Sequence, residues 1–271
     1  MKYRRLGRTG VQVSEIGLGT WKTFDVRGAA RDAHCTRITR EVIRLGGNFF
    51  DTAPMYGDAE RVLGLALEGV RAEALIATKV LEYSEAQALA SIERSFKLLK
   101  TDVIDLFQIH NLASWRLVTP ILKRLQDAGR IRFIGITEYD VSKYSEVIEA
   151  MRTGEFDTIQ IPYNLAERSC QNEILPLAQE LNLGVIVMTP IAPIFNRNLL
   201  LGRLSRANLS FLEPYGVLTA GQALLGYILS DPAVSTVIPA TSKFERVAKN
   251  IAVSDGDLFP PDVCRQLEAL F

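Results

Sequence analysis

Eight short apolar or β-branched runs recur along this chain, each too short and too unbroken for an amphipathic helix, and segments of helical periodicity separate them. The runs are Val13 to Leu18, Asn48 to Thr52, Leu75 to Lys79, Val103 to Ile109, Ile131 to Ile136, Thr158 to Ile161, Val185 to Met188 and Val234 to Ile238. Asp32 to Leu45, Asp58 to Leu67, Glu85 to Leu99, Trp115 to Ala128, Ser142 to Met151, Glu173 to Leu181 and Leu218 to Leu229 read as the helices between them. Near-continuous apolar strands alternating with helices call for a parallel sheet covered on both faces, because the crossover helices pack there. Eight repeats favour closure into a (β/α)8 barrel of the TIM type, with a doubly wound open sheet as the competing architecture. The turn Gly7-Arg-Thr-Gly10, between Lys2 to Leu6 and Val11 to Val13, predicts an N-terminal β-hairpin capping the bottom of the barrel. No linker or second-domain boundary interrupts the pattern, so residues 1–271 read as a single domain.

Composition narrows the partners. With 48% hydrophobic and 23% charged residues the chain has material for a large core. Lys plus Arg and Asp plus Glu are equal at 31 each, so no net positive field draws a phosphate backbone, and nucleic acid is not expected as a partner. Cys35, Cys170 and Cys264 lie far apart, with no Cys/His cluster spaced for a metal, and read as buried thiols. The charged start and the lack of a long apolar run predict a cytoplasmic protein with no membrane partner, a monomer by default.

In a (β/α)8 barrel the chemistry is built where the strands end. The run Asn48 to Thr52 carries Asp51 at its end, with Tyr56 on the following loop; Leu75 to Lys79 ends in Lys79; and Val103 to Ile109 leads into His110. Singly, a Lys or Asp after a strand is usually a cap or a solvated loop residue; four ionisable groups at one rim weaken that reading. Asp51 is placed to hold the Lys79 ammonium. The Lys79 charge is in turn expected to lower the Tyr56 phenol from its ordinary value of about 10, making it a proton donor or acceptor. The result is a proton-transfer site without a metal. His34, in a charged helical stretch, reads as surface.

Other chemistries lack their residues. There is no Gly-x-Ser-x-Gly nucleophile elbow and no phosphate-binding P-loop. Gly17-Leu-Gly19 is followed by no third glycine and no helix start, which leaves a Rossmann cofactor site unsupported.

Several motifs in order make a resemblance specific. Asp51-Thr-Ala-Pro-Met-Tyr56-Gly57 with Glu60 and Leu63-Gly64, then Ala77-Thr-Lys79, then Asp105-Leu-Phe-Gln-Ile-His110, resemble the aldo-keto reductase superfamily. The similarity continues through Gly129 to Gly135, Gln160 to Asn164, Val237 to Lys243 and Arg246 to Asn250. It implies a barrel that binds NADPH without a Rossmann fold and reduces a small-molecule aldehyde or ketone by hydride transfer. By the same resemblance Tyr56 is the general acid, Asp51 and Lys79 tune it, and His110 orients the carbonyl. A neutral imidazole and a phenol aimed at one oxygen would stabilise a developing alkoxide.

The resemblance also implies the cofactor positions. Thr20, Trp21 and Asp51 would be among the residues that bind the cofactor, and Gln160 with Thr137 and Glu138 would hold the carboxamide. Met188, Thr189, Pro190 and Ile191 follow the seventh run, while Pro239, Ala240, Thr241, Ser242, Lys243, Arg246 and Asn250 match the adenosine and 2'-phosphate segment. A loop rich in hydroxyls and backbone donors ahead of a helix is independently a ready anion site, and alone it also reads as a capped surface helix. Arg246 or Lys243 would supply the charge-assisted contact that favours NADP over NAD.

Two departures stand out. Thr137-Glu138 replaces the family's common Ser-Asn, and an ionised glutamate accepts from an amide nitrogen but cannot donate to a carboxamide oxygen. Met188 stands where many relatives stack an aromatic ring. The chain ends at Phe271, soon after the helical segment Pro261 to Leu270, which predicts an open pocket with Trp21, Phe24, Met55 and Trp115 as candidate apolar lining or core. Beside the reductase stand two other readings: an NADP(H)-binding redox-sensing or regulatory barrel with little turnover, and a cofactor-independent barrel isomerase or lyase.

Overall fold

Among the described residues, eight parallel strands follow one another around a single sheet in chain order, as consecutive right-handed crossovers require. The structure is a computed structural model and describes residues 1–191 and 199–271. The barrel strands are β1 Leu18–Gly19, β2 Phe49–Asp51, β3 Leu75–Val80, β4 Ile104–Ile109, β5 Ile131–Thr137, β6 Thr158–Pro162, β7 Gly184–Met188 and β8 Val234–Val237. At the seam between β1 and β8, the Gly17 N–H donates to the Val237 carbonyl at 2.8 Å, Val237 N–H to Glu15 at 2.9 Å and Gly19 N–H to Pro239 at 3.2 Å. These bonds close the sheet into the expected barrel and exclude the open doubly wound alternative. The seam requires the smallest residue, since a Cβ on Gly19 would stand 2.7 Å from the Ile238 carbonyl oxygen.

The first expected strand is divided. Gln12–Ser14 pairs antiparallel with Tyr3–Arg5 in the N-terminal hairpin, and only Leu18–Gly19 belongs to the barrel. Ser14 causes the break: its hydroxyl donates to the Ile16 carbonyl at 2.9 Å and its N–H to Asn48 Oδ1 at 2.8 Å, turning the chain. The hairpin plugs the barrel by burying Leu6 and Val13 against Phe49, Ala77, Leu106, Ile186 and Ile238, which line the interior. That apolar floor closes the end of the barrel away from the C-terminal ends of the strands.

The helices among the described residues are α1 Ala29–Arg44, α2 Ala59–Ala66, α3 Glu85–Leu99, α4 Trp115–Asp127, α5 Tyr144–Arg152, α6 Ile174–Glu180, α7 Leu199–Leu204, α8 Ala220–Leu229, α9 Phe244–Ile251 and α10 Pro261–Glu268. Helix α3 shows why: the Ser84 hydroxyl caps the Gln87 N–H, Ala88, Ile92, Ser95, Phe96 and Leu99 fall on the buried face, and left-handed Lys100 ends it. The capped helix α8 is buried from Gln222 to Leu229 because it is covered by α9 as well as by the barrel. Helix α7 was not signalled by the sequence pattern. None of the described helices is long and apolar enough to cross a membrane.

Candidate active site

Asp51 ends β2 and Lys79 stands one residue before the end of β3, so the parallel register brings the two together inside the barrel. The Lys79 ammonium spends its donors on Asp51 Oδ1 and Oδ2, each at 2.7 Å, and on the Thr52 carbonyl at 2.8 Å. Both residues are buried, Lys79 at 1% exposure and Asp51 at 2%, so the ion pair is shielded from water. Burial opposes the Lys79 charge, but Asp51 and Tyr56 outweigh it and hold the ammonium above its ordinary range.

Tyr56 is delivered by local chain geometry. Pro54–Tyr56 forms a single 3-10 turn with proline in first position, and Gly57 leaves it at φ 64°. That positive φ favours glycine, and the Asp25 carboxylate, which accepts the Asp58 N–H at 3.0 Å, also lies 2.2 Å from where a Cβ on residue 57 would stand. The Lys79 nitrogen is 5.2 Å from the centre of the Tyr56 ring. The phenol nevertheless lies above its ordinary value, because burial raises it more than Lys79 lowers it, and Asp51 adds to the rise. The expectation of a lowered phenol is thereby corrected: desolvation outweighs the ammonium, and Tyr56 stays protonated.

His110 begins the loop after β4 and meets Tyr56 edge-on, with ring centroids 6.1 Å apart at 83°. Burial and the Lys79 charge push its imidazole down to about 3, so it is neutral near neutral pH. Its Nδ1 is buried without a hydrogen-bond partner. The loop is held in an unusual conformation, with Asn111, Leu112 and Ser114 all at positive φ, and the Asn111 N–H donates to Thr137 Oγ1 at 3.1 Å.

Tyr56 and His110 open onto a cleft of about 1160 Å³ that crosses the rim. Trp21, Met55, Gln160, Met188, Thr189, Pro190 and Ile191 line it, and Asp51 lies at its base. On the β8 side Pro239, Ala240, Thr241, Ser242, Arg246 and Asn250 continue the same wall. The Thr241 hydroxyl accepts the Lys243 N–H at 3.1 Å and shapes the entry into α9. Gln160 presents a buried Oε1 with no partner, an acceptor suited to a carboxamide N–H.

Four expected cofactor residues do not line this cleft. Thr20 is buried, and its N–H and hydroxyl both donate to the Asp51 carbonyl at 3.0 Å, making it a clip for β2. Thr137 pins the Asn111 loop. Glu138 folds into its own turn, accepting the N–H groups of Tyr139 and Asp140 at 2.9 Å each and the Lys143 ammonium at 3.3 Å. Lys243 is exposed outside the wall. Phe24 and Trp115 belong to the core rather than the pocket, the indole N–H of Trp115 donating to Glu146 at 3.2 Å. Cys35 and Cys170 are buried as expected, while Cys264 is half-buried.

Other residues come to the wall unannounced. Asn111, Leu81, Tyr139, Lys22, Thr219 and Lys249 also line the cleft. The signal for Asn111 and Leu81 was their position just past strand ends. His34 is not a free surface residue: its Nε2 is 2.8 Å from the Ser242 carbonyl oxygen and braces the cleft wall from α1.

The profile described as Aldo/keto reductase family matches residues 15–270. The chain belongs to that family. Among curated relatives, the aldo-keto reductase YhdN of Bacillus subtilis is 31% identical over 76% of this chain and 65% of its own length. L-galactose dehydrogenase of Arabidopsis thaliana is 31% identical over 71% of this chain and 66% of its own, so the chain spans just under two thirds of each. Methylglyoxal reductase YeaE of Escherichia coli is 28% identical over 92% of this chain and 88% of its own. A Klebsiella pneumoniae aldo/keto reductase solved in complex with NADP and acetate superposes with a TM-score of 0.81 at 27% identity, covering 100% of this chain and 95% of its own. A second Klebsiella pneumoniae structure, in complex with NADPH, gives a TM-score of 0.82.

Proposed function

We propose that this member of the family is an NADPH-dependent carbonyl reductase in which Tyr56 is the general acid. The observation that carries the reading is the buried Asp51–Lys79 pair, 2.7 Å apart, under a protonated phenol and a neutral imidazole at one cleft. The residues present suit a nicotinamide cofactor. Gln160 Oε1 is a buried acceptor without a partner beside the site, and Thr241, Ser242, Arg246 and Asn250 bring hydroxyls, an amide and a cation to the other end. The NADP and NADPH complexes of the Klebsiella pneumoniae proteins support the same cofactor.

NADPH would supply the hydride to the carbonyl carbon. This chain's residues handle the other half. Tyr56 and His110 approach the carbonyl oxygen as two neutral donors, and neither carries a charge that must be desolvated first. As the oxygen gains negative charge, the Tyr56 hydroxyl releases its proton to it, giving the alcohol and a phenolate. Lys79 stabilises that phenolate, and solvent returns the proton once product leaves. Met188 would offer the nicotinamide a polarizable but adaptable platform. Glu138 takes no part at the carboxamide, since backbone amides and Lys143 occupy its carboxylate.

Titration with NADPH and NADH by quenching of tryptophan fluorescence, followed by a panel of aldehydes and ketones, tests this reading. Tighter NADPH binding with consumption of the reduced nicotinamide is expected, and Tyr56→Phe should bind NADPH and lose at least about a hundredfold in kcat. A folded Tyr56→Phe with full turnover overturns the assignment.

A further inference from the structure

We propose that Gln108 is a positioning residue for this reaction, one that holds Asp51 so that the Lys79 charge remains directed at Tyr56. The inference rests on the reading of Tyr56 as general acid. Gln108 lies in β4 directly beside Lys79 in the strand register and is completely buried. Its Nε2 donates to Asp51 Oδ2 at 3.3 Å, the same oxygen that Lys79 holds at 2.7 Å. Its Oε1 is buried with no partner.

A packing role does not account for such a side chain. Burying an amide with half its hydrogen-bonding capacity unmet costs stability that an apolar residue of the same volume would avoid. Neighbouring interior positions are filled in that apolar way, by Ala77, Leu106 and Ile186. What the amide provides is a neutral donor to a carboxylate, a bond that adds no charge to the cluster.

The consequence passes through Lys79. Its ammonium is shared between Asp51, Thr52 and Tyr56, so the share reaching Tyr56 depends on how much of the Asp51 charge is satisfied by other donors. Gln108 and Gln160 are those donors. Without Gln108 the carboxylate draws more strongly on Lys79 and bears more heavily on the phenol. Tyr56 then becomes a weaker acid. The charged groups acting on Tyr56 are Lys79 from β3 and Asp51 from β2, with the neutral His110 edge-on from the end of β4.

Two near-isosteric variants test this, with pH profiles of kcat for NADPH-dependent reduction of an aromatic aldehyde that the wild type turns over. Gln108→Met, which keeps volume but lacks the donor, should lose about tenfold in kcat with NADPH affinity unchanged, and its alkaline limb should move up by about half a pH unit or more. Gln108→Glu adds a second signature. Its protonated carboxyl can replace the amide donor, whereas its ionised form repels Asp51, so activity should survive in acid and fall along a new limb as pH rises. A fall in kcat with unshifted limbs in both variants, or no change in either, overturns the proposal. Tyr56→Phe assayed alongside separates the two readings: if it retains turnover, the acid assignment fails, and if it does not while Gln108→Met matches wild type, only the role of Gln108 fails.

Discussion

His110 stands edge-on to Tyr56, ring centroids 6.1 Å apart, and is kept neutral first by its burial and then by the Lys79 charge. The imidazole is depressed to about 3, so burying it neutral stabilises the fold fully above its unfolded value, and that stability is lost as pH falls toward the folded value. Between about pH 6.5 and pH 5 the wild type should lose about 2 kcal/mol that a His110→Gln variant does not lose. Urea unfolding of both proteins across that range measures the difference, and parallel curves would refute the buried neutral imidazole.

The Lys79–Asp51 pair has both partners buried. Lys79→Met leaves the buried Asp51 carboxylate without its counter-charge and should cost about 3–5 kcal/mol, as should Asp51→Asn by removing the counter-charge of the Lys79 ammonium. The double variant should regain much of that stability without regaining turnover. Denaturant midpoints together with kcat for the three proteins check this, and additive destabilisation in the double variant would argue against direct coupling.

Gly57 is held at φ 64° against the Asp25 carboxylate. Gly57→Ala should displace the Tyr56 turn, lowering kcat more than NADPH affinity and costing about 1–2 kcal/mol of stability. Asp25→Ala in the same chain should restore part of the activity by relieving the contact, leaving only the backbone strain. Lack of any rescue would show that the contact is not what fixes the turn.

Glu60 lies behind the site at 1% exposure, accepting the Thr78 hydroxyl at 2.6 Å through one oxygen while the other has no partner. Burial raises its carboxyl above the ordinary 4.5, so its contribution is fully present below that value and is lost as pH rises through the raised one. Glu60→Gln should therefore gain stability relative to wild type as pH rises above that ordinary value, measured as the difference in thermal midpoint. A constant difference would mean the two carboxyl states are equally well accommodated.

The β/α alternation, the barrel and the rim positions of Asp51, Tyr56, Lys79 and His110 were legible in the sequence, because strands buried on both faces expose their polar residues only where they end. The hydroxyl-rich loop leading into the helix that carries Arg246 and Asn250 was legible from local pattern as well. The two sides of the barrel seam, the brace from His34 to Ser242 and the wedge of Asp25 beneath Gly57 join residues remote in sequence, and no local pattern encodes such pairs. Glu138 and Gln108 make the distinction sharpest. Gln108 fell within the run Val103 to Ile109 and Glu138 was placed by the family resemblance, but which way each hydrogen-bonds depends on which partners the closed barrel brings within about 3 Å. Sequence determined the frame and the end of it where chemistry gathers. The tertiary structure decided which polar atoms were satisfied by backbone, which were spent on one another, and which were left facing the cleft, because desolvation and hydrogen bonding act on the distances that only folding creates.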